Sequence, residues 1–381
     1  MTDKQIKTHV LVYKIIIAIS VLSSLRSLVT PLFADEQTYY KLAENILRGQ
    51  YFYTDSPSTI APIIPFIFAF FKINAYPVLG FILNKLFNIG LVVLGFRYLF
   101  LFLKKQKIKT IIIYGIVALT AINPTAIAWF SSLYPEALIF FCFWGFIHYS
   151  TEPPKKSNLI RILFFFTLIL FIRYVYAVLG LIVLINYYDY LKTNFKKYRI
   201  YIIKYSIIFF IPVLFWGKYL ISVQEQNLTE IRYVSRFKTD NPILYNIKCG
   251  LGLEQHNEVD KVNGIPAFIS LFVPKTGIRS YVFSLILIAG FVLGYVKRLK
   301  SAEIKKLFIS ISIVMIGFIL AGTGFSRYWL ALLPGFYLGY YYLFKMFNVR
   351  DKYFIYLSQI LALIYIINEI RLDAMILNRY L

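Results

Sequence analysis

The sequence predicts an all-α, polytopic membrane protein of about eleven transmembrane helices with no sizeable soluble domain, and three observations carry that prediction. Of its 381 residues 59% are hydrophobic and 15% charged, with mean hydropathy +0.67, against about 45–50% apolar and about 25% charged in an ordinary soluble domain. The apolar residues run together: 10–33, 78–103 and 200–223 each contain the ~20 residues a helix needs to cross hydrocarbon. Those runs lack the period-2 alternation of a barrel strand, so they read as helices, which satisfy their own backbone groups inside a bilayer.

The charge is organised. The chain carries +23, yet 23 of its 41 Lys and Arg fall in six short stretches: the N-terminus to Lys14, then 104–109, 151–161, 189–204, 297–306 and 345–352. Only five of the 18 acids share those stretches, which leaves the rest of the chain at +5. Basic loops alternating with near-neutral ones are the signature of cytoplasmic retention of positive loops, with anionic lipid heads as their neighbours. This explains the basicity without nucleic acid, which is excluded as a partner.

Numbering spans by that alternation predicts a cytoplasmic N-terminus and spans at about 11–33, 76–103, 110–129 and 136–150. The tract 159–190 is interrupted by Arg173-Tyr174 and reads as two short spans meeting at the outer face. Further spans follow at about 200–222, 280–296, 307–322, 329–346 and 353–370, leaving the C-terminus external. Cys142 and Cys249 lie at different depths and predict no disulfide.

Two external stretches interrupt the spans, 34–75 and 223–279. In the first, Tyr39, Tyr40, Leu42, Ala43, Ile46 and Leu47 recur at helical spacing opposite Lys41, Glu44, Asn45 and Arg48, predicting an interfacial amphipathic helix over 36–48 stopped by Gly49. Residues 60–71 are too short to span and carry Pro62 and Pro65. In the second stretch, 264–273 is apolar and predicts contact with the membrane surface.

The polar residues of interest gather at the predicted outer face: Asp35 and Glu36 after the first span, Tyr134 and Glu136 at the start of the fourth, Arg173 between the fifth and sixth, and Arg327 and Tyr328 before the tenth. An ionisable residue at membrane depth is a functional candidate by default, although Arg and Tyr are also common interface anchors. Asp35 has two readings of equal weight, a helix N-cap or a general base. His256 is external and a candidate ligand contact. Lys85 lies inside the second span, as Arg26, Arg97 and Lys218 lie in others, and no acid is placed to pair with them. Neither a G-x-S-x-G elbow nor H-E-x-x-H nor a phosphate-binding G-x-x-x-x-G-K-[ST] occurs.

Asp35-Glu36, with Tyr39, Leu42-Ala43 and the closing Gly49, resembles the first external loop of GT-C glycosyltransferases of the protein-mannosyltransferase and aminoarabinose-transferase branch (family 39-like). Asn123-Pro124 with Ser131-Ser132-Leu133-Tyr134-Pro135-Glu136 resembles that family's third-to-fourth span junction. Arg327-Tyr328 with Pro334 resembles its late Arg-Tyr segment. The resemblance covers about 1–347 and implies a GT-C-like fold, Asp35 as catalytic base with Glu36 beside it, and a polyprenyl-phosphate sugar donor used at the non-cytoplasmic face with inversion. The acceptor would be a hydroxyl of a glycan or lipid-linked sugar, since the chain lacks the large C-terminal soluble domain of some members. Some members hold a divalent cation near the first-loop acids and others do not. The family's basic residue in the second external element is replaced here by Ile60-Ala61-Pro62, so phosphate binding falls to Arg173, Arg327 or Lys85. Two other classes stay open. A polysaccharide polymerase or ligase would use Arg232, Arg236 and Lys238, and a transporter or flippase would need ionisable pairs deep in the membrane.

Overall fold

A computed structural model describes residues 2–32, 35–51, 60–72, 75–226, 241–254, 264–273, 278–322 and 326–380. His256, Arg232, Arg236 and Lys238 lie outside them. Among the described residues the chain is helical and contains no strand. Among the described residues four helices are long and apolar enough to cross a membrane: Asp3–Leu28, Pro77–Lys105, Tyr174–Thr193 and Phe195–Val223. A fifth is added if Thr110–Ile122 and Pro124–Ser131, bent by 65°, count as one span. Glu136–Ser150 and Tyr281–Val296 are apolar but shorter.

The first half runs α1 (Asp3–Ser24), a 3₁₀ turn (Leu25–Leu28), α2 (Asp35–Leu47), α3 (Ile63–Phe70), α4 (Pro77–Lys105), α5 (Thr110–Ile122), α6 (Pro124–Ser131) and α7 (Glu136–Ser150). The second runs α8 (Lys156–Leu170), a 3₁₀ segment (Tyr174–Leu179), α9 (Gly180–Thr193), α10 (Phe195–Gln226) and α11 (Pro242–Leu251). A 3₁₀ segment (Ile265–Leu271), α12 (Tyr281–Val296), α13 (Ala302–Leu320), a 3₁₀ segment (Ser326–Leu332), α14 (Leu333–Met346) and α15 (Asp351–Tyr380) complete it.

Local chemistry sets the breaks. Pro124 has no N–H to continue α5, and the Asn123 side chain accepts instead from the Thr125 and Ala126 amides, starting α6 in a new direction. The tract 159–190 divides at Arg173, whose backbone is extended (φ −158°, ψ 116°). Tyr190 at the end of α9 donates to the Lys155 carbonyl just before α8, so the two helices form an antiparallel pair. Gly49 ends α2 in the left-handed region (φ 69°), where a Cβ would be strained.

Helix α7 is buried nearly all round, with Phe140, Phe143, Trp144, Phe146 and Ile147 inaccessible. Its indole Trp144 Nε1 donates to the Ala331 carbonyl at 3.1 Å, tying it to the segment before α14. At the periphery, α10 packs one side on α8 and α9 and exposes Ile203, Leu214 and Phe215 at 60%, 71% and 71%, an outward apolar face suited to lipid.

Contacts between sequence-distant loops sort the connections to two ends. At one end Lys109 and Lys345 hold Asp351, Lys105 bonds the Thr151 carbonyl and Glu152, and Lys306 reaches Ser150 and Asp189. Five of the six basic stretches therefore meet there. The other end gathers Asp35, Tyr134, Glu136, Arg173 and Arg327. Helices α1 and α15 run parallel, with Tyr13 against Ser358 (2.5 Å) and Arg26 against Asp373 (2.8 Å).

Three expectations are corrected. Arg26 does have acidic partners: Nη1 lies 2.6 Å from Glu369 and 2.8 Å from Asp373, with Ser23 donating to Asp373. Glu369 lies within the predicted last span and Asp373 in the continuation of α15 to Tyr380, and only the packing of α15 beside the first helix brings them to Arg26. The apolar 264–273 stretch lies inside the protein and not on a membrane surface: Phe268 packs against Trp329 and Phe336, and Asn123 and Tyr365 donate to the Leu271 and Phe272 carbonyls. The first helix begins at Asp3, well before the span predicted at 11.

Breaking a buried ion pair on one side costs about 3–5 kcal/mol. Arg26→Met is therefore expected to lower the unfolding temperature in detergent sharply. The triple change with Glu369→Met and Asp373→Ser is expected to recover most of the loss.

Candidate functional site

The site begins with Glu136, the first residue of α7. Its side chain is 1% exposed, and a carboxylate at a helix N-terminus is favoured by the helix dipole. Its Oε1 accepts from Arg173 Nη2 at 2.9 Å and lies 3.9 Å from Arg327 Nε. Arg173 is placed by the break between α8 and the 3₁₀ segment Tyr174–Leu179. Arg327 is placed by the 3₁₀ segment Ser326–Leu332.

Aromatic rings hold both guanidiniums in position. Arg173 lies over Tyr328 at 4.0 Å, and Arg327 lies against Trp129, Tyr134 and Tyr328 at 4.7, 4.8 and 5.0 Å. Arg327 Nη2 also donates to the Tyr328 hydroxyl and to Asp35 Oδ2, each at 3.2 Å. The result is an alternating line, Arg173–Glu136–Arg327–Asp35, that runs from the interior to an aspartate whose side chain is 51% exposed. Burial, the largest single influence, pulls both guanidiniums down, but Glu136 together with Tyr328 and the other neighbouring groups outweighs it, and both stay charged with their pKa values above the ordinary range.

Helix α2 is docked onto this line by two bonds. The Asp35 amide donates to the Tyr134 hydroxyl at 3.2 Å, and the Leu133 amide donates to Glu36 Oε1 at 2.6 Å. Burial, with Asp35 adding to it, pushes the Tyr134 hydroxyl up to about 12, so it stays neutral. Tyr39 packs edge-on against Tyr134 and Phe68, closing α2 on α3.

Asp35, Tyr134, Glu136, Arg173, Arg327 and Tyr328 are thus brought together from four sequence-distant segments. Asp35 is the first residue of α2, and its side chain turns to Arg327 instead of capping the helix. Glu36 is buried and turned inward. Lys85 is not in the line: Nζ donates to the Ser27 carbonyl at 2.9 Å and sits over Phe81. Sequence reasoning missed Trp129, since an aromatic at a helix end is an ordinary interface residue, and its place under Arg327 depends on the bend at Asn123.

Asp35 and Glu36 diverge, one to a guanidinium and the other to a backbone amide, so the pair does not form a joint donor set for a divalent cation. Among the described residues no group of three His, Cys, Asp or Glu side chains is arranged to hold a metal ion. The Oε2 of Glu136 and the Nη1 of Arg173 are buried with no hydrogen-bond partner among the described residues.

Comparison with protein-family models, with curated proteins and with solved structures finds no match for the chain.

Glu136 is the only carboxylate within ion-pair distance of Arg173 among the described residues. Glu136→Gln is expected to destabilise the chain by about 3–5 kcal/mol. Tyr134→Phe, which removes one hydrogen bond, should cost about 1 kcal/mol. Thermal unfolding in detergent checks the ranking, which fails if the two changes are equal.

Proposed function

We propose that the chain is a GT-C-type glycosyltransferase that moves a sugar from a polyprenyl-phosphate donor to an acceptor hydroxyl at the non-cytoplasmic face, with inversion. The reading takes the chain to cross the membrane about eleven times, with the N-terminus cytoplasmic and the C-terminus external. It rests on the first-loop, junction and Arg-Tyr motifs. The observation that carries it is a half-exposed carboxylate, Asp35, 3.2 Å from a guanidinium that belongs to a buried, aromatic-walled line of alternating charge.

The chemistry follows from that placement. The acceptor hydroxyl gives its proton to Asp35 as its oxygen attacks the anomeric carbon. The bond from that carbon to the phosphate oxygen breaks, and the electron pair leaves with the phosphate. Arg327 and Arg173 stabilise the departing charge by charge-assisted bonds, which are strong in a site with little water. A single displacement inverts the anomeric centre. A phosphate reaching Arg327 competes with Asp35 for the same guanidinium, so donor binding frees the base for the step that needs it. Glu36 keeps Asp35 in place by anchoring α2 to Leu133.

The ionic cluster of Arg26, Glu369 and Asp373 is the feature a transporter reading would seek. It sits at the Asp35 end of α1 and not at mid-depth, where alternating access places its sites.

Asp35→Asn is expected to lower turnover by about 10²-fold or more while expression and donor binding persist. The checking measurements are sugar release from lipid-linked donor by the purified chain and mass spectrometry of cell-envelope glycans and lipid-linked sugars with and without the gene. Wild-type turnover by the Asn variant would remove Asp35 from the mechanism.

A further inference from the structure

A polar cavity of about 590 Å³ lies at the end of the bundle opposite Asp35. The ends of α4 and α9, the turn after α7 and the first turns of α13 frame it. Helices α4 and α9 close two of the segments long enough to cross a membrane, Pro77–Lys105 and Tyr174–Thr193, so the cavity sits at the depth of lipid headgroups. Three lysines and three carboxylates line it: Lys105, Lys192 and Lys306, with Glu152, Asp189 and Glu303. Their formal charges cancel. We infer that this cavity binds a zwitterion of the phosphoethanolamine type, with the phosphate at Lys192 and the primary ammonium among Glu152, Asp189 and Glu303. The inference stands apart from the transferase reading, since it concerns the other end of the molecule.

The pairings inside the cavity decide which groups a ligand can use. Lys306 has its three donors met, by the Ser150 carbonyl and Asn186 Oδ1 at 2.9 Å each and by Asp189 Oδ2 at 2.7 Å. Its side chain is 13% exposed, and it serves as a strut between helix ends. Lys105 holds the Thr151 carbonyl and Glu152 Oε1. Lys192, next to last in α9, is exposed and has no ion pair among the described residues. On the acidic side, the lysine pairs leave Glu152 Oε2 and Asp189 Oδ1 outside those bonds. Glu303 accepts from the Ser301 hydroxyl at 2.7 Å and has no ion pair among the described residues. One unpaired cation thus shares the cavity with three carboxylates that each keep room to accept.

That set selects the ligand. A primary ammonium carries three N–H donors and no acceptor, and the three carboxylates can take one each. A simple anion would meet those carboxylates, and a simple cation would leave Lys192 without a partner. Lysine is a point-charge partner for phosphate, which places the anionic half. A trimethylammonium has no N–H and is recognised by aromatic rings. Tyr190, the one aromatic among the described residues that line the cavity, is 1% exposed and commits its hydroxyl to the Lys155 carbonyl. The apolar cavity of about 470 Å³ among α2, α3 and α4 has no charged residue and so nothing to read a headgroup with.

The test is native mass spectrometry of the full chain in detergent after lipid removal, with dioleoyl phosphatidylethanolamine, phosphatidylcholine and phosphatidylglycerol added in turn. Phosphatidylethanolamine is expected to be retained about tenfold more strongly than either, the ratio that 1.4 kcal/mol makes. Lys192→Gln and Glu303→Gln should each bring its retention down to that of phosphatidylcholine. Lys192 is exposed, and Glu303→Gln keeps an acceptor for Ser301, so both variants are expected to fold. Lys305→Gln, exposed and outside the cavity, should change nothing. Soluble O-phosphoethanolamine separates two sources of the same chemistry: displacement of the lipid assigns the free headgroup as a ligand, and no displacement assigns the membrane lipid, and either supports the site. Equal retention of phosphatidylethanolamine and either other lipid would overturn the inference. So would unchanged retention in both cavity variants, or displacement by glycine as effective as that by O-phosphoethanolamine. Sugar transfer does not enter the readout, so failure here leaves the transferase reading intact, and failure of that reading leaves this site standing.

Discussion

The arrangement depends on one buried carboxylate held between two guanidiniums. Glu136 would be costly to bury alone, and so would Arg173. Together, 2.9 Å apart with Arg327 within 3.9 Å, they neutralise one another in a place that water barely reaches. The cost of isolating any member makes the three segments that carry them dock in one register. The N-terminus of α7, the break after α8 and the 3₁₀ segment before α14 are thereby drawn to a single point. Asp35 joins through Arg327, and α2 follows it.

Aromatic packing gives this electrostatic centre its shape. Tyr328 lies between the two arginines, with Phe318 stacked on its ring at 5.6 Å. Trp129 and Tyr134 wall Arg327 and meet edge to face at 4.9 Å. Rings of this kind exclude water without supplying competing hydrogen bonds, and they leave the guanidinium edges to anions.

The opposite end of the bundle follows the same rule for another purpose. Lys105 and Lys306 bond the carbonyls of Thr151 and Ser150 at the end of α7, where the helix dipole favours cations. The central helix is therefore charge-matched at both ends, with an acid at its start and lysines at its finish. A helix buried on nearly every face is positioned along its axis by such end contacts and by the single mid-helix bond from Trp144 to Ala331, because its apolar sides carry little directional information.

Composition and local pattern alone determined that the chain is helical, apolar and built for a bilayer. They also placed the α2 helix and the interruption at Arg173, each a local matter of hydropathy or periodicity and so legible along the chain, whereas 110–129 read as one span and bends by 65° at Asn123-Pro124. The six site residues that converge were legible as candidates because polar residues at helix ends stand out in an apolar sequence. Which of them touch was not legible. That Glu36 turns to a backbone amide while Asp35 turns to Arg327, that Lys85 bonds Ser27, and that Arg26 finds Glu369 and Asp373 more than three hundred residues away was decided by tertiary packing alone. The same holds for the 264–273 stretch, which is apolar enough for a membrane surface yet buried against Trp329. Hydropathy states how much a segment gains by leaving water but not whether lipid or protein receives it, and ion pairing depends on distances that only the folded chain sets.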